Sequence, residues 1–469
     1  NYNGEVGLDI KFPVSGNMNI DLTVNTDFAQ VEADETQINL TRTPLFFPEK
    51  RQFFQERSDI FEFKFSENNT LFYSRRIGLE QGRQVQILGG ARLAGRTGKW
   101  DIGILDMQTR AVPGLDITSR NFGVVRAKRS LFDENSYAGG IIASRIDVDG
   151  SYNINSGFDL LYNYSGNDFI DFKIASTFDD RFENNYSLTD NSKIRINFHR
   201  RSFRDLYYHL IVKRVGKYYL PEMGFEARTD YKLFDAQLFY GYFLKPESPL
   251  RLITPSLRYF VTIRNKNNNV ESLLMEHPWE LTFKNTTLLT LTGIFRYENL
   301  ERHLYFSEKT FIKPGSYSFY GLNIEYKMPV YKPLQTTVSA AASTFYDGRQ
   351  YAVSIVPKWH QSKHIELTGE VAINYINIPG RYIQEYLNIF RLQTLLALNT
   401  QVSLQLFTQY NQLTQQISSN SRFRYNFAEG NDLWVVYNET FNTNPKRSVA
   451  DLPSFDNRVL MVKYSYTFK

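Results

Sequence analysis

Between Asp27 and Arg76 the chain sets Glu32, Asp34, Arg42, Glu49, Lys50, Arg51, Glu56, Arg75 and Arg76 among phenylalanines, notably Phe46, Phe47, Phe53 and Phe54. Charges of both signs mixed with large aromatics offer recognition rather than bond-making chemistry. They can pair with oppositely charged neighbours where the local dielectric is low, or lie in water as a solvated loop. A second set, Asp159, Asp171, Lys173, Lys193, Arg195, Glu366, Glu370 and Lys463, alternates with apolar residues along the chain. Such alternation puts the charges on one face of a strand, where a ring of them around water would set a field that selects permeating ions.

Other chemistry is thinly supported. His360 and His364 bracket a turn at Gln361-Ser362-Lys363, but no carboxylate is spaced to complete a metal site, and there is no cysteine. His199 and His209, near Asp205 and Ser202, are the only arrangement that suits a hydrolase. Gly89, Gly90, Gly95 and Gly98 precede no helix pattern and no Gly-Lys-Ser/Thr, so they do not form a phosphate loop. Glycine in a strand marks a bend or a close approach of backbone, and here it is expected to let the 27–76 segment pack against the wall. No catalytic residue, metal or cofactor is assigned.

The elements that must position these residues have a period of two. In the closing run, Leu460, Val462, Tyr464, Tyr466 and Phe468 share one side, and Met461, Lys463, Ser465 and Thr467 the other. Ile365, Leu367, Val371, Ile373 and Tyr375 oppose Glu366, Thr368, Glu370 and Asn374 in the same way. Asp171 and Lys173 oppose Ile170, Phe172 and Ile174, and Lys193 and Arg195 oppose Ile194 and Ile196. The 37 Phe and 31 Tyr favour strands, and the mean hydropathy of −0.40 is what strands with one wet face produce. No stretch of 18 apolar residues could cross a bilayer as a helix.

Short polar connectors such as Ser165-Gly166-Asn167 alternate with long ones such as 442–457, the pattern of an outer-membrane barrel. Roughly two dozen runs of about 9 to 14 residues suit tilted membrane strands. The 54 basic and 49 acidic residues are mixed throughout, which leaves no nucleic-acid-binding stripe. The absence of cysteine fits export. Asn1 begins without a Met, a basic stretch or an apolar stretch, so any export signal is expected to have been removed or never to have been part of this stretch of chain. Only 27–76 breaks the strand pattern, and there Pro48-Glu49 predicts the first turn of a short helix showing Phe53 and Phe54.

Several motifs occur in order: Asp27-Phe28-Ala29-Gln30-Val31-Glu32-Ala33-Asp34, then the Leu45 to Phe54 run, Leu71 to Gly78, Ile87 to Gly98, and Gly103 to Thr109. They resemble the domain of unknown function 5916, with a looser likeness over the C-terminal strands. Thr26 and Gln55-Glu56-Arg57 are small departures. The resemblance implies a bacterial envelope protein in which a periplasmic module similar to family 9 carbohydrate-binding domains precedes this region. That module is not in this sequence, so any glycan contact is expected upstream.

The expected fold is all-β: one large closed antiparallel transmembrane β-barrel over residues 1–469, of about 24 strands (22–26), with 27–76 folded inward to fill or constrict the lumen. An open pore that wide would leak, whereas 22-stranded transporters are plugged. The expected role is a gated or occluded transport channel, or the membrane part of a transport or assembly system. The alternatives are a structural anchor that presents the upstream module or docks other envelope proteins and, last, an outer-membrane hydrolase. The expected partner is outer-membrane lipid.

Overall fold

The computed structural model describes residues 6–25, 44–80, 83–115, 117–185, 187–202, 205–305, 311–379, 383–447 and 452–467. One antiparallel sheet of 25 strands contains almost all regular structure, and each strand pairs with its nearest neighbour in sequence. Tyr242–Phe243 and Ile383–Tyr386 are short offsets that share a pairing partner with the longer strands beside them. The meander joins Met18–Val24 directly to Ile87–Thr97, so the intervening residues leave the sheet and return to it at the same end. Among the described residues no ladder links the first strand, Leu8–Ser15, to the last, Phe455–Ser465, so the expected closure is not formed by these two strands.

Two-residue turns gather at one end of the sheet, with Tyr346-Asp347 an exception at the other. Gly16-Asn17, Gly98-Lys99, Gly166-Asn167, Lys363-His364 and Glu429-Gly430 are tight turns at one end, with Gly98 in the left-handed region at φ 55°. The other end carries the long connectors, including 216–230 and 443–454. The turn after His360 is therefore Lys363-His364, and His360 itself lies within the strand Gly348–Ser362.

Period-two alternation gives the sheet two unlike faces. On one, large apolar side chains stay exposed along its whole width: Val125, Ile142, Phe158, Val212, Phe234, Trp279, Leu322, Val353, Ile373 and Leu392. The last strand continues this face, with Val462, Tyr464 and Tyr466 66%, 59% and 54% exposed. The other face is polar and charged and, over the first half of the sheet, covered. Phe54, Ile60, Phe61, Phe63, Phe65, Leu71 and Ile77 from 44–80 form one cluster there with wall residues such as Leu105, Met107, Val124, Ile141, Ala175 and Leu233. A smaller cluster of Leu300, Ile312, Phe319, Phe345, Ile376 and Ile378 lies at the long-connector end.

Candidate functional site

The insert is short irregular backbone with two single-turn helices, Gln52–Gln55 and Ser58–Phe61. Helix begins at Gln52, not at Pro48, because Glu49 is engaged elsewhere. Its carboxylate accepts hydrogen bonds from the Arg51 backbone N–H (2.9 Å), the Arg51 guanidinium (2.8 and 2.7 Å) and Ser74 Oγ (2.8 Å). Arg51 in turn donates to the carbonyls of Ile77 (2.6 Å) and Ser74 (2.7 Å) and lies over the Phe54 ring. This knot ties the start of the insert to its end. Burial disfavours the charged form of Glu49, but the hydrogen bonds and charge of Arg51, with Ser74, outweigh it and hold the carboxyl below its ordinary range.

A lowered carboxyl pKa makes a pH prediction. The stabilisation is complete above the ordinary glutamate value of about 4.3, declines below it, and is gone once pH passes beneath the lowered folded value. Protection of the 44–80 segment from protease should be constant near neutrality and fall in acid. Glu49→Gln should weaken it at neutral pH and flatten the acid dependence; a profile identical to that of the unaltered protein would remove the knot from the account.

The insert is fixed to the wall mainly by wall cations donating to its carbonyls. Arg92 pairs with Asp21 (3.0 and 2.7 Å) and donates to the carbonyls of Phe53 and Glu56, at the end of the first helix, while its guanidinium lies 4.6 Å from the Phe53 ring centre. Lys128 donates to Asp59 O (3.0 Å) and Lys173 to Lys64 O (2.8 Å). Carbonyls at the ends of short helices and turns have acceptor capacity to spare, and a cation is their strongest available donor; Asp59 O also accepts from the Glu62 N–H (3.4 Å). Glu56 also pairs with Lys11. At the far side, the Thr70–Phe225 backbone bridge joins the insert to connector 216–230, where Arg76 donates to Gly224 O (3.2 Å). Arg75 donates to Pro48 O (3.2 Å).

Beneath the insert lie buried charge pairs of the wall. Arg126, 0% exposed, makes a two-pronged pair with Asp159 (2.7 and 2.6 Å) across an intervening strand. The pair passes over Gly139, where any Cβ would sit 2.8 Å from Arg126 Nη1 and 2.9 Å from Asp159 Oδ1. Arg195 pairs with Asp171 at 2.9 Å, and Lys193 pairs with Glu226 and lies 4.4 Å from the Phe65 ring centre. The Phe63 ring rests between Arg126 and Lys173.

Of the residues expected to line a pore, Asp159, Asp171, Lys173, Lys193 and Arg195 are thus paired under the insert. Glu366 pairs with Lys358 and His360, both at 3.0 Å, and Glu370 pairs with Arg391, half-buried on the later strands. Lys463 lies on the same face, in register with Trp434. Glu32, Asp34 and Arg42 fall outside the described residues, while Lys50 flanks the Glu49 knot. His199 and His209 sit opposite each other on paired strands, but neither imidazole hydrogen-bonds to Ser202 or Asp205 among the described residues; His199 stacks on Phe169 and meets Asn197 and Arg201. No grouping of three metal-binding side chains occurs among the described residues.

The glycine expectation needs correction. A Cβ on Gly89, Gly90 or Gly95 would meet the neighbouring strands of the sheet itself, and one on Gly98 would meet nothing. Glycines that do admit the insert include Gly103 and Gly157 in the wall, where a Cβ would lie 2.7 Å from Phe61 and from Phe63, and Gly224 on the 216–230 connector, where it would meet the Thr70 and Leu71 carbonyls. Arg92, Arg126 and Asp21 belong to no charged cluster that stands out in the sequence. Their only signal there is an inward position in a period-two run.

Sheet and insert together define a large antiparallel β-meander whose polar face carries a docked aromatic segment. Residues 1–106, which hold the first two strands, the insert and the Ile87–Thr97 strand, match the family described as Domain of unknown function (DUF5916). No curated protein matches the chain. Similar solved structures include the ferric-catecholate import receptor Fiu from E. coli K12 in its open form (7% identity, 81% of this chain and 72% of that one, TM-score 0.45). The unliganded ferric citrate transporter FecA gives 8% identity over 81% and 68%, TM-score 0.39. BauA, the ferric preacinetobactin receptor from Acinetobacter baumannii, gives 11% over 82% and 78%, TM-score 0.39.

Proposed function

We propose that this chain is an outer-membrane β-barrel with a transport path along its polar face, one side of which the 44–80 insert occludes. The observation that carries the reading is the inversion of the sheet: apolar side chains stand exposed from Val125 to Val462 while charge pairs are buried opposite them. A contiguous apolar surface of that extent needs a lipid solvent. Support for transport comes from the uneven cover. The insert's described apolar contacts end at Phe260, and the later strands present half-buried polar groups such as Glu366, Glu370, Arg391 and Arg424 on the same face. These would set the field in the path, and the insert would limit its width.

Paired substitutions test the two faces. Val353→Arg, on the exposed apolar face, should cost about 2 to 4 kcal/mol if the site lies at mid-bilayer depth. Its neighbour Ser354→Arg, on the polar face, should assemble almost normally. The measurement is the fraction of protein in the outer membrane that stays folded in cold detergent. Equal tolerance of both changes would sink the membrane reading.

A further inference from the structure

Connector 216–230 joins two neighbouring strands, Leu206–Val215 and Tyr231–Tyr240, that pair directly with each other. A hairpin of adjacent strands needs only about 2 to 5 residues, and a connector as long as this one usually has a function. It lies on the polar face. The Tyr218 N–H donates to Asp190 O (2.7 Å) and the Leu220 N–H to Thr177 Oγ1 (3.1 Å). Asn153, 0% exposed, donates to Leu220 O (3.0 Å) and accepts from the Glu222 N–H (3.1 Å). Arg145 pairs with Glu222, Lys193 with Glu226, and Arg228 with Glu271 (2.9 Å). These partners run from the strand Tyr137–Asp147 round to Val270–Phe283, so the connector is a crossbar fastened to the wall.

Its other edge holds the insert, by bonds of a different kind. Thr70 and Phe225 exchange backbone hydrogen bonds (3.0 and 2.8 Å), and the Tyr73 N–H donates to Met223 O (2.7 Å). The Phe225 ring meets Phe46 and Tyr73 edge-on, at 5.2 and 6.0 Å between centres, so one ring touches both limbs of the insert. Parting the wall side would strand buried charges, whereas backbone groups freed into a wet path are taken up by water. The insert side is the weaker seam.

We propose that connector 216–230 is the fixed clamp of the insert, and that the path opens when Thr70 and Tyr73 part from Met223 and Phe225 while the connector stays on the wall. The proposal rests on the reading of the insert as an occluding element.

Gly224 lies in the seam. A Cβ there would sit 2.7 Å from Leu71 O and closer still to Thr70 O, and its three nearest neighbours are all insert backbone. Gly224→Ala should push the insert off, raising single-channel conductance in planar bilayers several-fold and exposing 44–80 to protease, while the sheet stays folded in cold detergent. A covalent bond across the seam gives the converse. The chain has no cysteine, and hydrogen-bonded antiparallel partners stand about 5.5 Å apart at Cα, within disulfide reach. Reduced, the pair Thr70→Cys with Phe225→Cys should leak several-fold more than the unaltered protein, since the ring between the two limbs is gone; oxidised, it should return to the low conductance. Membrane-borne protein whose pair does not cross-link, equal conductance in the two redox states, or Gly224→Ala channels like the unaltered ones overturn the clamp. Should Gly224→Ala not reach the membrane, the cysteine pair decides alone. A variant with a Gly/Ser linker in place of 48–78 keeps the two readings apart. If it conducts no better than the unaltered protein, occlusion itself is wrong; if it conducts freely and the redox states do not differ, only the clamp falls.

Discussion

Arg126→Ala should loosen the insert and destabilise the assembled protein by about 3 to 5 kcal/mol, because it strands the Asp159 carboxylate, 1% exposed, without its partner. The cost comes from the orphaned charge more than from the lost attraction. Replacing both partners, Arg126→Met with Asp159→Leu, should recover most of the loss, since a buried pair exchanged for apolar residues of similar volume is often neutral or better. Thermal or urea unfolding in detergent measures both. If the double replacement were as damaging as the single one, the pair would be holding something beyond itself, and Phe63, packed against Arg126, would be the first suspect.

The second large effect is expected at Phe63 itself. The ring is 0% exposed, lies over Gly157 and contacts Phe65 edge-on at 5.5 Å between centres. Phe63→Ala should cost about 3 to 5 kcal/mol, as the transfer loss and the cavity add. It should also open the neighbouring backbone to protease, since Thr70 Oγ1 donates to Phe63 O and Leu71 N–H to the same carbonyl. Phe63→Leu fills part of the volume and should fall between the two. Protection unchanged by Phe63→Ala would mean that the aromatic cluster does not hold the insert.

Strand pattern was legible because lipid-type exposure and polar burial give opposite labels to adjacent residues. Ile365, Leu367, Val371 and Ile373 fall on one face in the structure as their spacing predicts, whereas Phe407, next to outward-facing Leu406, falls on the polar face in register with Gln393. The insert was legible as a break in that rhythm. What its charges touch was not, for two physical reasons. Pairing needs register: Arg126 finds Asp159 across Gly139, and nothing local announces that alignment. Much of the binding also goes to carbonyls, as with Lys173 on Lys64 O and Arg92 on Phe53 O, and a backbone acceptor carries no mark of residue type. The expected network of opposite charges between insert and wall is therefore partial, carried by Glu56 on Lys11 and Arg92 and by Glu80 on Arg120 (2.8 Å).

Closure failed to read out for a related reason. Period-two spacing identifies strands and their faces, but neither the direction of the first strand relative to the last nor the partner of an edge is written in a local pattern.

The most direct test of the insert as an occluding element is single-channel conductance in planar bilayers, comparing the unaltered protein with one in which residues 48–78 are replaced by a short Gly/Ser linker. Low conductance is expected for the unaltered protein, with a several-fold increase and altered ion selectivity once the insert is gone. A folded, membrane-inserted variant with unchanged conductance would contradict it.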